Sequence, residues 1–398
     1  MGELRAFVLN GGYGFALALI LGTLLTVVLT PLFAELARRR GLVARPSERR
    51  WHLKSTPLLG GVAMTIAIIV ALAFTLPSGP VSAVVVLCVG ASCALGLIDD
   101  IRNIAPTSKL VGQVMIASLL VLGGVQVQLV SFAPLAFVLT VIWVVGMMNA
   151  VNLSDNMDGL AAGICAIAGL ALAITGLPNV MAATVAAVTA GASLGFLVHN
   201  FYPAKVFMGD AGSLVLGFLL ATAALLYSAQ SSANLAISVI GPLLVLAIPI
   251  LDTALVSFSR RLAGRSMSTG GRDHISHRLV ALGLSDRATV ILLYLVSAGL
   301  ALLVISADVI AGFFLPLIAL AVIALVLFAI FLGQMDPYPE RRIERPRTAL
   351  VERMFRAGRF AAEVILDVAL LTLAYYISYL VRFEGHAQSD WMFEFAAT

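Results

Sequence analysis

The chain has 398 residues, 61% of them hydrophobic and only 12% charged, with a formal net charge of +4 and a mean hydropathy of +1.03. Soluble domains carry roughly 25% charged residues. One water-facing core cannot hide this much apolar surface, so a soluble globular protein is excluded and lipid is the expected solvent. Helices satisfy their own backbone groups in lipid, and the predicted class is an all-α polytopic membrane protein.

A spanning helix needs about 20 mostly apolar residues. Apolar runs between breakers predict eleven spans, near 13–35, 58–76, 81–98, 110–123, 134–150, 160–176, 180–198, 212–228, 235–257, 288–306 and 309–333. Pro77 to Pro80, Gly123-Gly124 and Gly176 to Pro178 punctuate them. A twelfth apolar run follows near 361–381. The expected organisation is a polytopic core over 1–335, a basic linker over 336–360, and an extra helix with its tail over 361–398. Cys88, Cys93 and Cys165 lie inside apolar runs and read as small buried hydrophobes, without metal spacing or a disulfide framework. Arg5 alone precedes the first span and the basic run follows it, the reverse of a cleaved signal peptide.

Twelve spans give two alternating sets of loops. One set comprises 36–57, 99–109, 151–159, 199–211, 258–287 and 334–360. It holds every Lys and Arg except Arg5 and Arg382. Positive residues stay on the cytoplasmic side, so this set is expected there, with the N-terminus outside. The paired carboxylates, amides and histidines fall on the same face. Loops are polar anyway, which accounts for the basic residues. It accounts less well for carboxylates and amides at span ends, where desolvation is costly.

The first of these loops carries Arg45 to His52, then Lys54 and Pro57-Leu58-Leu59-Gly60-Gly61. Its basic residues suit anionic headgroups, and its glycines permit close backbone approach. The second is Gly96-Leu97-Ile98-Asp99-Asp100, with Lys109 and Gln113 beyond. Adjacent carboxylates repel unless a cation joins them, and Mg²⁺ bridges carboxylates and substrate phosphates. One of the pair could instead activate an attacking oxygen, and a surface helix cap would also carry such a pair. The third loop crowds Asn149, Asn152, Asp155, Asn156, Asp158 and Gly159 between two spans, more than turn initiation needs. The fourth runs from Asn200 through Gly209-Asp210-Ala211-Gly212-Ser213, where Asp210 can sit at a helix N-terminus or ligate a metal. The fifth holds Asp252, Arg260, Arg261, Arg265, and Asp273-His274-Ile275-Ser276-His277-Arg278. Arg265 and Arg278 suit pyrophosphate oxygens. His274 and His277 share a helix face, but no cysteine or third histidine completes a zinc site.

Taken in order, these loops resemble the polyprenyl-phosphate N-acetylhexosamine-1-phosphate transferase superfamily over about residues 15–333. The matching motifs are Pro-x-x-Gly-Gly, Gly-Leu-Ile-Asp-Asp with Lys109, Asn-Ala-x-Asn-x-x-Asp-x-x-Asp-Gly-Leu, Asn-x-x-Pro-Ala-x-x-Phe-Met-Gly-Asp-x-Gly-Ser, and His-x-x-His-Arg-Leu. The resemblance implies that a polyprenyl (undecaprenyl) phosphate attacks a UDP-N-acetylhexosamine, releasing UMP and starting a cell-envelope polysaccharide at the bacterial inner membrane. UDP-N-acetylglucosamine is the first expectation, because the fifth loop resembles that of the O-antigen and teichoic-acid linkage initiators more than the peptidoglycan enzyme. It further implies Asn152 and Asp210 as ligands of Mg²⁺, or of Mn²⁺ in its place. Asp99 and Asp100 would position or activate the lipid phosphate, while Lys109, His277 and Arg278 hold phosphates. Asp158 would accept from the uracil, with His52, Asn149, Asp155, Asn200, Arg265 and His274 also on the substrate side. The bilayer is an expected partner and nucleic acid is not; a homodimer is compatible with the pattern.

Two departures stand out. Asn156 replaces the first glycine of the family's usual Asp-Gly-x-Asp-Gly, and Ser276 replaces the middle histidine of His-x-His-His-Arg. Two rival classes fit less well. A secondary transporter would place its charges near the midplane, often in repeats. A catalytically inactive membrane scaffold has only Asn156 and Ser276 in its favour. The 361–381 run faintly resembles the membrane anchor of polysaccharide-biosynthesis sugar dehydratases and epimerases.

Overall fold

The computed structural model describes residues 13–44, 56–177, 179–228, 235–262, 264–265, 271–307, 309 and 311–335. The linker and the twelfth apolar run lie outside the described residues, as does His52. In chain order the helices are α1 (Gly14–Arg40), α2 (Gly60–Thr75), α3 (Pro80–Arg102), α4 (Pro106–Leu122), α5 (Ala133–Ser154), α6 (Leu160–Thr175), α7 (Val180–Asn200), α8 (Gly209–Ser228), α9 (Leu235–Val245), α10 (Ala247–Leu262), α11 (Ile275–Ala281), α12 (Asp286–Ile305) and α13 (Ala311–Gly333). The strands among the described residues are β1 (Val43–Ala44) and β2 (Thr56–Pro57), paired antiparallel with Val43 opposite Pro57 and Ala44 opposite Thr56. The chain divides into two compact units, 1–305 and 306–398, and α13 belongs to the second.

The fold is an all-α polytopic membrane protein. Among the described residues, α1, α3, α5, α7, α8, α12 and Pro316–Gly333 of α13 are long and apolar enough to cross a membrane. Helices α2, α4 and α6 are shorter apolar helices. The predicted span at 235–257 is a bent pair, α9 and α10, turning by 74° at a short break. Pro249 explains the bend. It has no N–H for the Val245 carbonyl four residues back, and in one unbroken helix its ring would crowd that carbonyl.

In lipid, helix association relies on close packing rather than on escape from water, and small residues allow it. Helix α1 rests on α7 in this way. A Cβ on Gly191 would overlap the Leu19 carbonyl oxygen, and one on Gly195 would overlap that of Thr23. Helix α8 occupies the centre, packed by α2, α3, α5, α6 and α7, and is buried along nearly its whole length. A Cβ on its Gly217 would stand 2.6 Å from the Met147 carbonyl oxygen of α5.

Several helices run past their predicted spans. Helix α3 continues to Arg102 and α5 to Ser154, while α8 begins at Gly209. Asp99, Asp100, Asn149, Asn152 and Asp210 therefore ride on helical turns. Hydropathy marks where lipid ends, and a helix need not stop there.

Candidate functional site

The N-terminus of α8 is the structural anchor of the site. Gly60 and Gly61 donate backbone N–H groups to the carbonyls of Phe207 (3.1 Å) and Met208 (3.0 Å). A Cβ on Gly61 would overlap the Gly212 backbone nitrogen. That contact is the physical content of the paired glycines at the head of α2. Gly96 does the same for α3, where a Cβ would overlap the Asp210 carbonyl oxygen. This close approach brings Asp100 to the first turn of α8, where its carboxylate accepts the N–H groups of Asp210 (2.9 Å) and Ala211 (3.1 Å). A helix N-terminus exposes unpaired N–H groups with partial positive charge, and here a carboxylate from another helix satisfies them. Gly209 turns the chain with φ +63°; a side chain there would meet the Asp100 carboxylate at 2.6 Å.

One ammonium group joins the neighbouring elements. Lys109 Nζ, from the first turns of α4, donates to Asp210 Oδ2, lies 3.1 Å from Asp99 Oδ2 and donates to Asn152 Oδ1 at 3.3 Å. The Lys109 side chain is 15% exposed. Asn152 Nδ2 donates to Asp210 Oδ1 (2.8 Å) and Ser213 Oγ (2.9 Å). Asp99 Oδ1 accepts the Ile104 N–H at 2.9 Å, closing the end of its own helix. Oxygens from α3, α5 and α8 thus converge on one cationic point. Asp155 lies half-buried just past α5, and no hydrogen bond to its carboxylate is made among the described residues. Burial, and then the charges of Asp210, Asp100 and Asp158, push that carboxyl up to about 8. Among the described residues no three His, Cys, Asp or Glu form a metal cage by themselves. The donor set of Asp210, Asn152 and Asp99 instead offers hard oxygens of the kind that share a divalent ion with phosphate and water.

The third and fourth loops are stitched together. Asn200 is 2% exposed; its Oδ1 accepts the Gly159 N–H (3.0 Å) and its Nδ2 donates to the Val206 carbonyl (2.9 Å). Asp158 Oδ2 accepts the Ala204 N–H at 2.8 Å. Tyr294 of α12 donates its hydroxyl to the Gly159 carbonyl at 2.5 Å, and its ring fills a notch that a Cβ on Gly163 would overlap. Asn149 Nδ2 donates to Gln113 Oε1 (2.8 Å) and to the Val145 carbonyl (2.8 Å). Asn149 and Asn200 therefore hold the scaffold.

The fifth loop forms a cationic arm. Asp273, 1% exposed, accepts from Arg260 Nε (3.1 Å) and from an Arg265 guanidinium N–H (2.6 Å). Its backbone carbonyl accepts Arg278 Nε at 2.8 Å, while a second Arg278 nitrogen donates to Ser259 Oγ at 2.9 Å. Arg278 is 2% exposed, so these contacts embed its guanidinium in the arm. Asp252, on α10, lies 2.8 Å from His274 Nδ1 and accepts the Ile275 N–H at 2.6 Å. The His274 and His277 rings meet edge to face at 6.0 Å. Burial, with His274 beside it, holds His277 down at about 4, so its ring is neutral near pH 7. An open cavity of about 570 Å³, lined by Ala254, Ser257, Phe258, Arg261 and Arg265, lies along α10.

The structure brings Asp99, Asp100, Lys109, Asn152 and Asp210 into one cluster, and joins Asp158 to the fourth loop and His274 to Arg278 within the arm. Sequence reasoning gave no role to Gln113, Ser213, Asp252, Asp273 or Tyr294. Asp252 carried a signal, since an ionisable residue inside an apolar span marks a functional site by default.

A family model described as glycosyl transferase family 4 matches residues 82–228. A Bacillus subtilis protein described as a "Probable undecaprenyl-phosphate N-acetylglucosaminyl 1-phosphate transferase" is 35% identical over 294 residues, covering 70% of this chain and 81% of that protein. The decaprenyl-phosphate N-acetylglucosaminephosphotransferase of Mycolicibacterium smegmatis is 35% identical over 320 residues, covering 70% and 79%. The phospho-N-acetylmuramoyl-pentapeptide-transferase of Halalkalibacterium halodurans is 34% identical over 276 residues, covering 62% and 83%.

Proposed function

The chain belongs to the polyprenyl-phosphate N-acetylhexosamine-1-phosphate transferase family, and from that premise we propose that it moves N-acetylglucosamine-1-phosphate from UDP-N-acetylglucosamine to undecaprenyl phosphate. A lipid phosphate oxygen attacks the phosphorus next to the sugar, the bond to the UMP oxygen breaks, and a sugar diphospholipid remains. The product starts a cell-envelope polysaccharide. The single observation behind this reading is the convergence of Asp99, Asn152 and Asp210 on the Lys109 ammonium. Phosphoryl transfer needs positioning and charge neutralisation more than covalent participation; this cluster supplies the positioning, and its carboxylates suit the cation that would complete the neutralisation.

Mg²⁺ would be held by the oxygens of Asp210 and Asn152 that Lys109 contacts, and would neutralise charge on the diphosphate. The chain's own residues do the rest. Lys109 places an ammonium against phosphate oxygens. Asp99, beside it, orients the lipid phosphate, while Asp100 keeps the α8 N-terminus in register. Neutral His277, next to Arg278 on α11, adds no charge to the arm. The arm holds its arginines through Asp273. The sorting of Lys and Arg supports a cytoplasmic active site in a bacterial inner membrane, with the N-terminus outside.

The test uses purified full-length protein with radiolabelled UDP-N-acetylglucosamine, undecaprenyl phosphate and Mg²⁺. Label is expected in the organic-extractable lipid, with UMP released in equal amount and turnover abolished by chelation. The absence of labelled lipid from every UDP-N-acetylhexosamine defeats the reading.

A further inference from the structure

Asn156 and Ser276, the two departures from the family pattern, touch one another. Ser276 Oγ donates to Asn156 Oδ1 at 2.5 Å across 120 residues of sequence. The other end of that amide is fixed as well, because Asn156 Nδ2 donates to the Leu153 carbonyl at 2.8 Å. Its oxygen is thereby turned toward Ser276, which is 1% exposed. The adjoining Ile275 N–H and His274 ring bind Asp252 on α10. The first turn of α11 is thus gripped from two sides, by α10 and by the third loop. Asn156 sits between Asp155 and Asp158 in that loop, and α11 carries His277 and Arg278.

We propose that the Asn156–Ser276 hydrogen bond is a positioning clamp that sets the gap between the acidic third loop and the cationic arm for a nucleoside diphosphate sugar. The proposal rests on the transferase reading and adds which contact tunes the donor. A gap fixed beforehand spares the ligand the ordering of two loops, and small misplacements of reacting groups are costly. The bond joins two neutral groups, so it steadies the site without adding charge beside Asp155 and Asp158. It touches neither Asp99 nor Lys109, so the lipid phosphate side is left as it is.

The experiment compares wild type with Ser276→Ala, Asn156→Ala, the double variant and Ser276→Thr, as purified full-length proteins. Each alanine variant is expected to raise the KM for the UDP-sugar about 5- to 10-fold, the scale of one buried hydrogen bond. The KM for polyprenyl phosphate should stay within about twofold. The double variant should be no worse than either single one, the signature of a shared contact, and Ser276→Thr should return the donor KM toward wild type. Should one alanine variant fail to fold, the other reads the same bond from its opposite side. An unchanged donor KM, an equal rise in both KM values, or additive single effects overturns the clamp while leaving the transferase intact. A wild-type protein inert with every UDP-N-acetylhexosamine removes the transferase reading and the clamp with it.

Discussion

Asp100 and Asp210 lie on different helices, and the carboxylate of the first accepts the backbone N–H of the second at 2.9 Å. Replacing Asp100 with alanine leaves the α8 N-terminus without that acceptor in a partly buried setting. The expected loss is about 1–3 kcal/mol of stability, with Asp100→Asn between the two. Thermal unfolding in detergent checks it; an Asp100→Ala protein with wild-type Tm would show that the cap carries no weight.

Lys109 and Asp210 form an ion pair at the convergence point. Lys109→Met removes the ammonium and leaves the carboxylates facing each other. A drop in kcat/KM of about 10²–10³ is expected, the scale of losing one preorganised charge partner. Turnover within threefold of wild type would contradict the role given to Lys109.

Two glycines of α3 make an internal comparison. Gly96 leaves no room for a Cβ beside the Asp210 carbonyl, whereas a Cβ on Gly90 meets nothing within 4 Å. Gly96→Ala should destabilise by about 1–3 kcal/mol through overpacking. Gly90→Ala should be neutral or stabilise by roughly 0.5–1 kcal/mol, because alanine is the better helix former. Equal Tm shifts would contradict the packing.

His277 supplies the pH prediction. Its folded value near 4 is below its ordinary 6.5, so between those values the unfolded chain binds the extra proton. Stability from the neutral ring is complete above about pH 6.5 and declines as pH falls through 4. His277→Asn should flatten that decline in a series of unfolding curves. An unchanged slope would place the acid sensitivity elsewhere.

The fold was legible because lipid leaves few options: each predicted span of the core is occupied by an apolar helix or by the α9–α10 pair. Asp99, Asn152 and Asp210 stood out as candidates because carboxylates and amides at span ends demand a reason, and the fold brings them together. The Pro249 bend was not read, because the flanking run is apolar on both sides. Nor was the Asp273 hub, since its partners Arg260 and Arg265 looked like ordinary positive-inside residues. The Ser276–Asn156 contact joins residues 120 positions apart, and no local pattern reports such a partner.

The segment from Phe207 to Ala211 is fastened through its carbonyls by Gly60 and Gly61, and through its amides by Asp100. Held along both edges, it behaves as the stationary jaw of a vice. Loosening either edge would open that jaw and carry Asp210 away from its Lys109 partner.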